Sequence, residues 1–280
     1  MATTTLQRRG QSTSEATRVH ASTSAAASTG SIQRTARVAA LLYLLIALLA
    51  GFVHMYVPGA LIVPGDAAAT ASNIRASEGL FRAGIGGELL LLLSEVALSV
   101  LLYVLFRPVG KTLSLIAAAS RLVMTTVHGV NLLGHVAVLL LLSGAGYLSA
   151  FAPSQLDALA MLALEAYSFG FSIGIVFLVL HAFPLGYLIY RSGYVPRALG
   201  VLFMVAALGY LVDGASHLLV AGYVKGAAYL ALPIALSEIA FPLWLLFKGV
   251  DAEGWQRRAA ALADVATQPT ASAVTTAESR

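Results

Sequence analysis

Between residues 36 and 247 the chain carries six strongly apolar stretches, and ionisable side chains lie inside them rather than between them. Glu88, Glu95, Arg121, His128, His135, His181, Asp213, His217 and Glu238 all fall where hydrocarbon would surround a membrane-spanning helix. A charge at the bilayer centre costs about 2.5–3.5 kcal/mol on insertion scales, so such residues face a bundle interior and pair there. The pattern calls for an integral membrane protein with a polar interior.

Charge content agrees. Only 11% of the 280 residues are charged, against roughly 25% in soluble domains. Each apolar run reaches the ~20 residues that cross a bilayer as helix. Cysteine is absent, which excludes disulfides, thiolate metal sites, iron–sulfur clusters and cysteine nucleophiles. The net charge of +4 is mild, but the basic residues gather on alternate loops. It therefore reports topology rather than nucleic-acid binding, and no nucleic-acid partner is expected. The bias toward Ala, Leu, Gly and Arg fits a GC-rich bacterial genome.

The expected architecture is all-α: a polytopic membrane bundle of six transmembrane helices in one domain, residues 36–250. The spans read as Ala36–Val57, Gly84–Phe106, Thr112–Ser143, Leu156–Tyr190, Ala198–Val220 and Gly226–Phe247. Residues 1–35 and 251–280 are rich in Ser, Thr and Ala and bury too little apolar surface to order themselves, so both are expected to be disordered tails. The first tail lacks the apolar core and cleavage site of a secretory signal, although its Ser- and Arg-rich, acid-poor character also fits a transit peptide. Pro58, Pro108, Pro153 and Pro196 are assigned to connections, where a missing N–H is harmless. Pro184, Pro233 and Pro242 fall inside spans. Arg34, Arg37, Arg107, Lys111, Arg191, Arg197, Lys248, Arg257 and Arg258 flank one set of helix ends. By the positive-inside rule both termini are cytoplasmic, in the inner (cytoplasmic) membrane of the cell.

Counting about 1.5 Å per residue from the basic helix ends sorts the polar residues into two layers. An inner layer of Glu95, Arg121, His181 and Glu238 lies roughly 14–16 Å deep, near the bilayer centre. An outer layer of His54, Glu88, His128, Asn131, Asp213 and His217 lies at about 22–28 Å. Arg121, permanently charged, requires an anion, and Glu95 and Glu238 are the depth-matched candidates. Such a pair either fixes helix register or forms part of a proton or ion relay in which the second carboxylate and His181 titrate. The outer layer is expected to place at least three of His54, Glu88, His128, Asp213 and His217 around one cavity. Those groups could also ligate a divalent metal, and Asp213 at i with His217 at i+4 could orient an imidazole. For haem, His54 with His128 is the one pairing to draw. No zincin, nucleophile-elbow, Walker or dinucleotide-binding motif occurs in a credible context. Gly170 and Gly174 form a small-residue patch of the kind used for close helix packing.

Several segments carry a family likeness: NIRASEGLFRAG at 73–84, GYLIYRSGYVPRALGVLFMVAALGYLVD at 186–213, and SEIAFPLWLLFKGV at 237–250. Over residues 36–250 they resemble the largely bacterial integral membrane family designated domain of unknown function 4386. Arg191, Ser192, Pro196, Arg197 and Gly200 are the most specific part, with Glu238, Trp244, Lys248 and Gly249 next. The resemblance implies a multi-pass cytoplasmic-membrane protein and no particular activity. The functional expectation is therefore a non-enzymatic protein that binds or conducts a small solute or protons through its polar interior, with the bilayer as its surroundings and no cofactor. The rivals are a membrane-embedded metal- or haem-dependent enzyme and a structural or regulatory membrane subunit. The sequence specifies no oligomeric state.

Overall fold

The computed structural model describes residues 30–224 and 228–267. The rest of both expected tails, residues 1–29 and 268–280, lies outside the described residues. Six helices are long and apolar enough to cross a membrane, and no described residue is in a strand. In chain order the first is α1, Gly30–Leu61. A short α2, Ala67–Ala76, leads into α3, Glu78–Phe106. Then come α4, Lys111–Leu141, α5, Pro153–Ser192, and α6, Arg197–Leu219. Next are α7, Ala228–Phe247, and α8, Ala252–Thr267.

Local chemistry accounts for several departures from the expected boundaries. Pro58 lies inside α1 rather than in a connection. Having no N–H for the carbonyl four residues back, it disturbs the ladder, and Gly51–Tyr56 forms a π-helical turn in which Val57 N–H bonds to Phe52 O. Pro153 likewise opens a helix, at the position where its missing N–H costs nothing. The polar stretch after α1 forms α2 because Asp66 caps it, accepting from Ala69 N at 2.9 Å. Residues 30–35 and 252–267 are helical, against the expected tails. Trp255 docks the latter by donating its indole N–H to Leu105 O at 3.0 Å.

That last contact belongs to a latch at the basic end. Leu105 O, among the last carbonyls of α3, also accepts from the Tyr194 hydroxyl at 2.7 Å, so two side chains satisfy a group the helix itself leaves orphaned. The Gln33 amide donates to Val250 O at 2.5 Å. Arg258 donates to Arg191 O at 2.8 Å. Apolar burial lowers the readiness of the Tyr194 phenol to ionise, so it stays a donor here.

α5 is the spine. Against α6 it approaches so closely that a Cβ on Gly186 would lie 2.7 Å from Gly200 O, and one on Gly200 would lie 2.6 Å from Gly186 O and Tyr190 N. At the far end of α6, His217 stacks on Phe169 at 4.6 Å. The first turns of α5, from Pro153, therefore extend roughly 24 Å past α6, where α2 covers them through Arg75 and Asp157 at 2.6 Å. Two apolar cores result. One near the basic end includes Tyr43, Leu98, Phe106, Leu188, Phe203 and Phe241. The other, at the distal end, includes Val57, Ile74, Phe81, Val138 and Leu164.

Candidate functional site

Polar side chains fill the zone between these cores, in two separate assemblies. In the inner one, Arg121 from α4 pairs through Nε with the Glu95 carboxylate of α3, and both residues are buried. Its Nη1 donates to the Tyr43 hydroxyl of α1 at 3.2 Å and to His181 Nε2 of α5 at 2.8 Å. The guanidinium also lies over the Tyr43 ring, 5.0 Å from its centre. His181 Nδ1 lies 2.9 Å from Ala117 O. A carbonyl can only accept and a guanidinium only donate, so His181 is the neutral Nδ1–H tautomer with Nε2 as acceptor. Both nitrogens are committed, so a titrating role for His181 would require its bond from Arg121 to break. Glu238 is not the ion-pair partner. It accepts from the Tyr210 hydroxyl of α6 and remains within electrostatic range of Arg121 and Glu95.

Five of the outer six meet α5 between Tyr167 and Ser172, in separate groups rather than one cluster. Glu88, almost wholly buried, accepts from the Tyr167 hydroxyl at 2.7 and 2.8 Å through its two oxygens. His135 Nδ1 stands 3.8 Å from the same carboxylate, and its ring stacks on Tyr167 at 3.9 Å. Asn131 and His128 go elsewhere. The Asn131 amide donates to Tyr167 O at 2.8 Å, and His128 Nε2 lies 3.1 Å from Phe171 O. Gly170 and Gly174 open the notches that receive them, since a Cβ on either glycine would collide with the Asn131 amide or the His128 ring. The small patch thus admits polar knobs from α4 rather than a bare helix. At the end of α6, Asp213 accepts from the Tyr223 hydroxyl at 2.9 Å, and His217 Nδ1 bonds Ser172 Oγ at 2.9 Å.

A cleft of about 310 Å³ opens beside the Glu88 group, between the π-helical turn of α1, α4 and the distal half of α5. His54, His135, Tyr167 and Ser168 give it a polar wall; Val53, Pro58, Ile62, Leu164 and Phe171 give it an apolar one. Of the five residues expected around one cavity, His54 alone is on its walls. His217 lines a separate recess with Phe169 and Tyr223. The glycine notches hold His128 in the α4–α5 interface, away from the walls of this cleft. Among the described residues no three His, Asp or Glu side chains converge as metal ligands. The rings of His54 and His128 pack on the same Phe171 ring, at 4.8 and 4.5 Å between centres.

The model of the family described as domain of unknown function (DUF4386) matches residues 38–249. The chain belongs to the DUF4386 family. An uncharacterised protein of Archaeoglobus fulgidus is 28% identical to it over 165 residues, which cover 59% of this chain and 83% of that one. No solved structure matches it. The DUF4386 match spans nearly all of α1 through α7, so both polar assemblies and the distal cleft lie inside it, whereas α8 lies beyond it. Tyr167, the residue that ties Glu88 to the cleft, was not singled out from the sequence. Its position three residues before Gly170, on the helix face that meets Asn131, was the available signal.

Proposed function

We propose that this membrane protein binds a small, partly apolar solute in the distal cleft, with His54, His135, Tyr167 and Ser168 as the hydrogen-bonding wall. The observation that carries this reading is the placement of Glu88. It is buried behind the cleft, and its polar partners Tyr167 and His135 form the cleft wall. An isolated carboxylate in apolar surroundings costs several kcal/mol unless a proton, a cation or hydrogen-bond donors compensate it. Here one phenol does most of that work, which fixes the phenol and stacks the imidazole against it. The result is a preorganised polar wall facing an apolar one, the usual form of a small-molecule site. Conduction through the bundle centre has less support. Leu91, Leu92 and Met124, all buried, separate the Glu88 group from the Arg121 group along α3 and α4.

The absence of cysteine makes a direct test simple. In full-length protein, Ser168→Cys should react with a water-soluble maleimide, and Ser172→Cys, at a fully buried position, should not. A thermal-shift screen of amphipathic solutes should then yield ligands that raise the melting temperature and protect Ser168→Cys from labelling. An unreactive Ser168→Cys, or stabilising ligands that leave its labelling untouched, would remove the cleft as the binding site.

A further inference from the structure

At the opposite, basic end a second cleft of about 320 Å³ lies between the α3–α4 turn and α8. Tyr103, Arg107, Pro108 and Lys111 form one side; Ala259, Leu262 and Ala263 of α8 form the other. Both cations are exposed, and neither has a carboxylate partner among the described residues. Three other basic residues at this end are engaged: Arg191 with the Tyr187 hydroxyl, Arg258 with Arg191 O, and Arg257 with Asp251 and Glu253. Lys111 also begins α4, where no side chain caps the first-turn N–H groups, so the helix dipole adds to the local positive field. The α8 wall is apolar at 259, 262 and 263, one helical face by spacing. The nearest acid on that helix, Asp264, is turned about 100° away from Ala263.

We propose that this cleft binds the phosphate headgroup of an anionic phospholipid. Arg107 and Lys111 hold the phosphate, and Ala259, Leu262 and Ala263 pack on the glycerol and upper acyl chains. Three observations carry it. Two adjacent cations with no carboxylate salt-bridge partner among the described residues suit a phosphodiester. The volume lies within the range of small-molecule sites, about 300–1,000 Å³. An apolar wall at the end of two membrane-crossing helices suits a molecule anchored in the bilayer better than a free anion. The site is independent of the distal cleft, and it gives α8, which lies outside the family match, a role in lipid contact.

Full-length protein in a zwitterionic detergent can be titrated with dihexanoyl-phosphatidylglycerol, dihexanoyl-phosphatidylcholine and inorganic phosphate while tryptophan fluorescence is followed. Trp255, one helical turn before Ala259, is the reporter. Phosphatidylglycerol should bind saturably, and Arg107→Gln with Lys111→Gln should weaken it by roughly tenfold or more. Arg107→Lys with Lys111→Arg should retain binding, and Arg34→Gln with Arg37→Gln, at exposed positions of the same end, should leave it unchanged. Phosphatidylcholine should bind as weakly as the neutralised variant. Equal binding by the neutralised variant or of phosphatidylcholine would overturn the proposal. So would an equal loss in the Arg34 and Arg37 variant, which would reveal a diffuse field, or competition by phosphate at the lipid's own affinity, which would reveal a simple anion site.

Discussion

Arg121 shows what a residue's chemistry discloses and where it stops. A permanent charge at mid-membrane had to find an anion, so a buried pair on facing helices was legible from depth alone. The choice of Glu95 over Glu238 was not, because it depends on rotation about the helix axes, which a depth ruler ignores. The pair predicts an asymmetry. Arg121→Ala strands Glu95 in the core and should cost about 3–5 kcal/mol, whereas replacing both residues by apolar ones of similar size should cost far less. Folded yield and melting temperature in detergent check this, and a double variant no more stable than Arg121→Ala would defeat it. A second pair behaves alike on a smaller scale. Tyr167→Phe removes the phenol from Glu88 and should cost about 1–3 kcal/mol by leaving a buried acceptor unsatisfied. In a Glu88→Leu background the same change should cost little, and the coupling read from that cycle is the measurement. Glu88 was legible as a membrane-embedded acid. Tyr167 was not, because tyrosine is commonplace at membrane interfaces and α5 is too long for the depth ruler to place it.

Elements divide the same way. Six spans were legible because each must present about 20 apolar residues whatever its neighbours do. The two short amphipathic helices were not, because α2 rests on one Asp66 cap and α8 on the docking of Trp255. The π-helical turn was hidden as well. Pro58 reads as a terminator, and only the intact helix on both sides makes it a bulge that turns His54 toward the cleft. Glycine spacing was legible as close packing but not as to its object. Gly186 and Gly200 bring backbones together, whereas Gly170 and Gly174 admit side chains. Accordingly Gly200→Ala, whose Cβ would meet backbone atoms that cannot move aside, should destabilise the bundle by about 1–3 kcal/mol. Gly86→Ala, with no atom within 4 Å of the added carbon, should be neutral or slightly stabilising through helix propensity. Thermal melting of the two variants decides it. Equal melting temperatures would mean that the α5–α6 contact is looser than its geometry.

At the scale of the whole molecule, the helix ends form two unlike faces. One is short, basic and latched by Tyr194, Gln33 and Trp255; the other carries α2, the projecting start of α5 and the distal cleft. An even number of crossings would put the described chain ends on one face, and the positive-inside rule makes a cytoplasmic position of that Arg- and Lys-rich face the orientation to test. The orientation decides which compartment the distal cleft faces and which leaflet the basic cleft faces, and so which would supply the proposed solute and the proposed lipid. With no native cysteine, it can be read by single substitutions at exposed positions. In intact cells a membrane-impermeant maleimide should label Ala68→Cys on α2 and Ser149→Cys before α5, and should label Lys248→Cys after α7 only once the membrane is opened. Labelling of Lys248→Cys alone in intact cells would invert the molecule: the distal cleft would then face the cytoplasm and the basic cleft the outer leaflet. Labelling of Ala68→Cys without Ser149→Cys would be worse, because α2 and α5 are bridged by Arg75 and Asp157 and must share a side. That result would break the packing of the distal face itself.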